Sequence, residues 1–170
     1  MDLDEGVRMV AEVTGPVEIG DRLRVGWNVV DDEPDPPDLD EGGCTMKVGD
    51  RLPEWSLPIT PTLVVSTAIA TRDFQDVHHD RDVAQAAGSK DIFVNILTST
   101  ALCERYVTDW AGPDVQVRGI AIRLGAPAYP YDTFSFTGEV TEVADGEATI
   151  KVVGAVSLGE HVIGTVRIAA

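Results

Sequence analysis

The stretch Thr71-Arg-Asp-Phe-Gln-Asp-Val-His-His-Asp-Arg81 is the most informative part of this 170-residue chain. It places a carboxylate, Asp73, five residues before an imidazole, His78, and a long apolar segment follows. A spacing of five residues brings two side chains to a shared face in neither a helix nor a strand. We therefore predict a turn or a short broken helix, in which the two groups hold one water molecule and share its proton transfers.

The apolar segment that follows predicts one long helix. From Ile92 to Trp110, apolar side chains recur at helical intervals. Asp91 or Ser89 is the candidate N-terminal cap, and Ala111-Gly-Pro113 ends the helix. This helix is the predicted centre of the fold.

Strand-like runs lie on both sides of the predicted helix. Before it, Thr62–Ala70 is rich in β-branched residues and predicts a strand. After it, Asp145-Gly146 and Gly159 mark hairpin turns in a predicted antiparallel meander. The meander has four strand candidates: Val115–Leu124, Thr133–Val143, Ala148–Leu158 and His161–Ile168. This order predicts an α+β hotdog fold, in which a curved antiparallel sheet wraps around a long central helix.

The N-terminal quarter of the chain differs from the rest. Residues 7–30 contain two β-like runs, and Asp31–Gly43 is rich in Asp and Pro, as linkers are. We predict that residues 1–45 form an acidic extension with a β-hairpin and that residues 46–170 form the hotdog domain. The hairpin around Ile19–Trp27 resembles the closing strands of OB-like DUF35 domains.

Composition limits the classes of function. The net charge is −16, of which −10 falls in the first 50 residues, and this acidity opposes nucleic-acid binding. Mean hydropathy is +0.01, the apolar runs are too short to span a bilayer, and the acidic N-terminus does not resemble a signal peptide. Cys44 and Cys103 are too few for a disulfide framework. We expect a soluble cytoplasmic protein without a membrane partner.

The run His78-His79-Asp80 also raises the question of a metal site. Metal hydrolases with His-Asp pairs draw further ligands from other helices, whereas this chain has three His residues in all. No Ser lies in a Gly-x-Ser-x-Gly elbow either. We therefore expect neither a metal nor a Ser-His-Asp triad.

The residues around Asp73 resemble a family motif. Asp73-Phe-Gln-Asp-Val-His-His-Asp80, followed by Ala84 and Gly88, is similar to the Asp-x-Asn-Pro-x-His-x-Asp motif of MaoC-like (R)-specific enoyl-CoA hydratases. The resemblance implies that Asp73 and His78 are the catalytic pair. It implies that Asp80 caps or orients, and we expect His79 to be a solvated neighbour.

A second signature matches further along the chain. Arg123-Leu-Gly-Ala-Pro127 with Tyr131-Asp132 resembles the family's basic residue, Pro and Gly-Asp. Arg123 is accordingly a candidate ligand of the substrate or of its coenzyme A. Two departures are Gln75-Asp76 for Asn-Pro and Val94-Asn95 for His-Gly. The resemblance implies that the backbone N–H of Asn95 binds the thioester oxygen.

Residues 71–112 also resemble one subgroup, the small MaoC-like subunit of the actinobacterial steroid side-chain hydratase. That resemblance implies hydration of a steroid enoyl-CoA with a short C17 side chain during cholesterol degradation. Coenzyme A is then part of the substrate, and no separate cofactor is expected. The implied partner is a second MaoC-like subunit carrying a DUF35 domain, in an α2β2 assembly that recruits a thiolase-like aldolase.

Two other functions stay open from the residues alone. An acyl-CoA thioesterase of hotdog fold usually carries its carboxylate on the central helix, where this chain has only Glu104 and Asp109, both late. A non-catalytic assembly subunit would use Asp73 and His78 only to pack a loop. Four aromatic residues either line an acyl cavity or belong to the core: Phe93, Tyr106, Trp110 and Tyr129.

Overall fold

The computed structural model describes residues 46–112 and 114–169. The predicted extension, with its hairpin and linker, lies outside the described residues. The described elements, in chain order, are β1 (Arg51–Pro58), α1 (Pro61–Ala70), a 3₁₀ helix (Asp76–His78), α2 (Arg81–Ala86), α3 (Ile96–Ala111), β2 (Val117–Leu124), β3 (Thr133–Ala144), β4 (Glu147–Val156) and β5 (Gly159–Ala169). No helix among these residues is long and apolar enough to cross a membrane.

The five strands form one antiparallel sheet in the order β1-β3-β4-β5-β2. Helix α3 packs against β1, β2, β4 and β5. Its buried residues, such as Leu102, Tyr106 and Val107, recur every three or four positions and so form one stripe. Alternate residues of β4, from Ala148 to Val156, are buried as well. This is the sheet-and-central-helix arrangement that the sequence predicts.

The predicted meander is confirmed for β3, β4 and β5, whereas β2 pairs with β5 and not with β3. All four strand candidates are strands, with ends that shift by one or two residues. Asp145 (φ 53°) and Gly146 (φ 74°) both have positive φ, as the two central residues of a type I′ hairpin turn require.

The predicted strand Thr62–Ala70 is wrong, because this run lies in α1. Thr60 caps the helix by accepting a hydrogen bond from the Leu63 N–H, and Pro61 occupies its first turn. These start signals outweigh the β-branched composition, and the buried residues Val64 and Ala68 have helical spacing.

The first strand is instead β1, which contains Pro53 and Pro58. Proline removes a backbone donor and is therefore confined largely to edge strands. Since β1 lies at one edge of the sheet, both prolines are tolerated there.

The predicted start of the central helix is also wrong. Helix α3 begins at Ile96, and its cap is Asn95, neither Asp91 nor Ser89. Val94 donates its N–H to the Ala128 carbonyl (3.0 Å), which fixes the backbone outside the helix at this point. The Asp91 carboxylate is engaged by Arg81. The predicted end is confirmed, because α3 stops at Ala111 and Gly112 follows with φ 103°.

Candidate active site

Asp73 and His78 meet, as the sequence predicts. Asp73 Oδ2 lies 3.4 Å from His78 Nε2, and both side chains are largely shielded from solvent. The approach depends on a turn: Arg72 has φ 57°, and the Asp73 N–H bonds the Ala68 carbonyl at the end of α1. The 3₁₀ helix then turns the chain back. The prediction of a turn or broken helix for residues 71–81 is confirmed.

The hydrogen bonds of His78 define where its hydrogen lies. Nδ1 is 2.8 Å from the carbonyl oxygen of Phe93, and a carbonyl only accepts, so Nδ1 donates. In the neutral ring, Nε2 therefore carries no hydrogen and faces the Asp73 carboxylate as an acceptor. The Phe93 ring packs edge-on against the imidazole, with centroids 4.9 Å apart. Two acceptors 3.4 Å apart are best satisfied by one molecule that donates to both.

Asn95 contacts the pair through its side chain. Its Nδ2 donates to Asp73 Oδ2 (3.0 Å) and to Thr71 Oγ1 (2.9 Å). Its Oδ1 accepts from the Thr98 N–H (2.9 Å), and this bond is the N-terminal cap of α3. The Asn95 side chain is buried. The sequence predicts a role only for the backbone of this residue, so the side-chain contact is an additional finding.

The start of α3 exposes backbone donors beside the pair. Within residues 46–112 and 114–169, the N–H groups of Asn95, Ile96 and Leu97 have no hydrogen-bond acceptor. The helix dipole adds partial positive charge at this end. Developing negative charge on a substrate oxygen is stabilised by such groups.

The residues after His78 hold the segment in place. Asp80 Oδ1 accepts from the Val83 N–H (3.1 Å) and so caps α2. Arg81 forms two bonds to the Asp91 carboxylate, at 2.8 and 2.7 Å, and the guanidinium lowers the pKa of Asp91. His79 is exposed, with its nearest carboxylate, Asp76, at 3.7 Å.

Arg123 is not brought to the pair. It lies in β2 opposite Ile163, its side chain is exposed, and the described residues show no contact between it and Asp73, His78 or Asn95. A role in substrate binding stays a prediction.

The four aromatic residues that were candidates for an acyl cavity lie in different surroundings. Tyr106 is core: it is buried between Trp55 and Phe136, and its hydroxyl donates to the Pro53 carbonyl. Trp110 also packs against the core. Phe93 contacts His78, as described above. The hydroxyl of Tyr129 accepts from Ser89 Oγ at 3.3 Å.

The described residues provide no metal cluster at the pair, and the open groove that the structure shows lies elsewhere. Among the described residues, no three His, Cys, Asp or Glu side chains are placed to hold a metal ion. An open groove lies between β1, β3 and β4, and its lining includes Arg51, Glu54 and Lys151. Neither Asp73 nor His78 borders that groove.

Two buried residues without an assigned role in the sequence lie behind Asn95. His161 of β5 and Ser99 of α3 are joined by a 2.8 Å hydrogen bond between Nε2 and Oγ. Their separation of 62 residues hides this pairing from local pattern, and the only signal is a polar side chain on the inward face of a strand.

The family model for the MaoC-like domain matches residues 47–162. A curated relative is the 3-oxo-4,17-pregnadiene-20-carboxyl-CoA hydratase beta subunit of Mycobacterium tuberculosis. It is 64% identical over 121 residues, which are 71% of this chain and 94% of the relative.

Two solved structures are similar to this chain. The ChsH1-ChsH2 complex of Mycobacterium tuberculosis contains a chain with 63% identity and a TM-score of 0.71, covering 72% of this chain and 97% of that one. An (R)-hydratase from A. caviae involved in PHA biosynthesis has 18% identity and a TM-score of 0.68, covering 74% and 98%. At that identity the second match shows the fold alone.

Proposed function

The chain belongs to the family of MaoC-like domain proteins, and from that membership we propose that it is the catalytic subunit of a steroid enoyl-CoA hydratase. The relative that is 64% identical is a pregnadiene-carboxyl-CoA hydratase subunit, which supports both the reaction and the steroid substrate. The proposed substrate carries a short C17 side chain and the double bond to which water adds. No cofactor beyond the coenzyme A of the substrate is needed for this chemistry.

One observation carries the catalytic assignment: Asp73 Oδ2 and His78 Nε2 lie 3.4 Å apart, and both side chains are largely shielded from solvent. A water molecule that donates one hydrogen to each turns a lone pair of its oxygen toward the substrate. As that oxygen bonds the β-carbon, one member of the pair takes the proton of the water. The pair then delivers a proton to the α-carbon on the same face, which gives a syn addition.

The start of α3 supplies the third part of the mechanism. Electron density from the double bond moves onto the thioester oxygen as the carbon–oxygen bond forms. The backbone N–H groups of residues 95–97, which have no acceptor among the described residues, stabilise that charge, because they are fixed by the helix before the reaction begins. Asn95 contributes in two ways: its backbone N–H is one of these donors, and its side chain orients Asp73.

Substitution of the pair tests this mechanism. Asp73→Asn and His78→Ala should each lower the hydration rate by roughly 10²–10⁴-fold, the usual contribution of a general acid or base. Asp76→Asn and His79→Ala are matched controls, because both residues are exposed neighbours of the same types. Hydration is followed on a steroid enoyl-CoA and on crotonyl-CoA, with the partner subunit present. Folded Asp73→Asn or His78→Ala protein with near-full activity would contradict the assignment.

A thioesterase receives little support from the central helix. Its buried residues are Thr98, Ser99, Leu102, Cys103, Tyr106 and Val107, none of which is a carboxylate. Glu104 and Asp109 are exposed, and Asp109 pairs with Arg105. Release of free thiol from a saturated acyl-CoA is the assay that separates the two reactions.

We further propose that the chain works in a heteromer. The similar chain of known structure was solved in a complex of two different proteins. In this chain, Phe74, Ile96 and Leu97 are large apolar side chains that are 65%, 49% and 47% exposed, and they adjoin Asp73 and Asn95 in sequence. Covering them with a second subunit would also shield the pair and its bound water from bulk solvent. The proposed partner is a MaoC-like subunit with a DUF35 domain, in a cytoplasmic α2β2 assembly that recruits a thiolase-like aldolase.

A further inference from the structure

A series of buried hydrogen bonds runs from β5 to the first turn of α3. His161 Nδ1 lies 2.7 Å from the Ala126 carbonyl oxygen, and Nε2 lies 2.8 Å from Ser99 Oγ. His161 is 2% exposed and Ser99 is fully buried. Both ring nitrogens are therefore satisfied by protein groups, in a place that water does not reach.

The direction of these bonds follows from the groups involved. The Ala126 carbonyl can only accept, so Nδ1 carries the hydrogen. Burial lowers the pKa of His161, which keeps the ring neutral near pH 7. Nε2 is then an acceptor, and the hydroxyl of Ser99 donates to it.

This series of hydrogen bonds reaches the catalytic pair in two further steps. The Ser99 N–H bonds the Asn95 carbonyl (3.1 Å), and Ser99 Oγ lies 3.1 Å from the same oxygen. Asn95 in turn holds Asp73 Oδ2 through its side chain at 3.0 Å. A displacement of the first turn of α3 would move Asn95 and Asp73 together.

The Ala126 end of this hydrogen-bond series fixes the first turn of α3 from outside the helix. Ala126 receives the His161 bond, and two residues later the Ala128 carbonyl accepts from the Val94 N–H (3.0 Å). Val94 directly precedes Asn95. His161 therefore connects the segment that anchors Val94 with the helical turn that contains Ser99.

We propose that His161 is a positioning residue of the hydration reaction: through Ser99 it fixes the first turn of α3, and through Asn95 it fixes the direction of Asp73. The inference rests on the proposed function and extends it to a residue outside the catalytic pair. Packing alone is the competing explanation, because the His161 ring also lies edge-on to Phe134 with centroids 5.2 Å apart. The two explanations differ in what they predict for the hydroxyl of Ser99.

Kinetics of four variants separate positioning from packing. Ser99→Ala and His161→Leu each remove the hydrogen bond between Ser99 and His161. His161→Gln keeps an amide oxygen that can accept from Ser99. Val107→Ala is a control at a buried position two turns later in α3. In the full chain with its partner subunit, kcat of Ser99→Ala and His161→Leu should fall about 10- to 100-fold, as expected for a small misplacement of catalytic groups. KM should change much less. His161→Gln should recover part of kcat at a melting temperature like that of His161→Leu.

A second measurement does not depend on activity. Nitrogen-15 shifts of the His161 ring should show hydrogen on Nδ1 and none on Nε2 at pH 7. The side-chain amide signals of Asn95 should move in Ser99→Ala and stay in place in Val107→Ala. If the wild-type complex hydrates neither a steroid enoyl-CoA nor crotonyl-CoA, the proposed function fails. The Asn95 signals still decide, in that case, whether His161 and Ser99 position the first turn of α3. If hydration is normal, the inference is overturned when Ser99→Ala keeps the kcat of the control, whether or not the Asn95 signals move.

Discussion

Asn95 performs two tasks with different atoms of one side chain. Its Oδ1 caps α3, and its Nδ2 donates to Asp73. The family motif has Gly at this position, which has no side chain for either task. Here the bulkier residue takes up a structural role and a positioning role together, while its backbone N–H stays available.

The two tasks are separable by substitution. Asn95→Asp keeps a capping oxygen, since Asp is among the best N-caps, but it places a second carboxylate beside Asp73. Stability at pH 7 should fall, because the new carboxylate is buried beside a like charge. The value of kcat should fall by more than about tenfold, and the acid limb of the pH–rate profile should move to higher pH, because the two carboxylates compete for a proton. Asn95→Ala removes the cap as well and should cost about 1 kcal/mol of stability.

Urea unfolding and pH–rate measurements on both variants provide the check. An Asn95→Asp enzyme with wild-type kcat would show that the contact between Nδ2 and Asp73 has no catalytic value.

His161 should make the stability of the fold depend on pH. Burial lowers its pKa below the ordinary value of 6.5, so on acidification the unfolded chain takes up a proton before the folded chain does. The contribution of His161 to stability is therefore complete above about pH 6.5 and declines as the pH falls toward the folded-state pKa.

Melting temperatures measured between pH 7 and pH 5 test this dependence. The wild type should lose stability over this range, and His161→Gln should show a flatter profile, whereas the control His79→Ala, at an exposed position, should keep the wild-type slope. Equal slopes for all three proteins would mean that His161 is not the group responsible.

At the scale of elements, the predictability of each segment followed from how local its determinants are. The hairpin at Asp145-Gly146 is encoded by two adjacent residues, and it was predicted correctly. The run Thr62–Ala70 was mistaken for a strand because its β-branched composition was weighed above the cap at Thr60 and Pro61. The start of α3 depends on the bond between Val94 and Ala128, which are distant in sequence, and local pattern could not supply it.

Close packing of the sheet gives a prediction for Gly154 in β4. A Cβ at this position would lie 2.7 Å from Phe136 Cε1 and 2.7 Å from Val162 Cγ1, both in the core. Gly154→Ala should therefore destabilise the fold by about 1–3 kcal/mol through overpacking. Gly119→Ala in the edge strand β2 is the control, because its Cβ would meet only the guanidinium of Arg167, which can swing away. Denaturant unfolding that gives equal costs for both would exclude overpacking as the cause.

At the scale of the whole molecule, the residues that meet at the candidate site were predictable from the motif, and the segments that bring them together were less so. The motif indicated Asp73 and His78, yet their approach depends on the turn at Arg72 and on the end of α1. Ser99 and His161 come from α3 and β5, and nothing in either segment alone points to the other. Arg123 was selected by motif position, and the fold leaves it in β2 without a contact to the pair.

A partner subunit should be required for activity on steroid thioesters. Exposed apolar side chains adjoin Asp73 and Asn95 in sequence, and a second subunit that covers them would help to enclose a polycyclic acyl group. We expect the purified chain alone to be poorly soluble or inactive on steroid thioesters, and to gain activity in an α2β2 complex whose interface exceeds about 2,000 Å². Sedimentation and hydration assays, with and without the partner, measure both properties.

Point substitutions locate that interface. Leu97→Asp should weaken assembly and activity together, because it places a charge on the surface to be covered. Val48→Asp, at a position that is 64% exposed before β1 and adjoins neither Asp73 nor Asn95 in sequence, should leave both unchanged. A stable homodimer of this chain with full activity on a steroid enoyl-CoA would refute the heteromer, and it would assign the apolar surface at Phe74 and Leu97 to a second copy of the same chain.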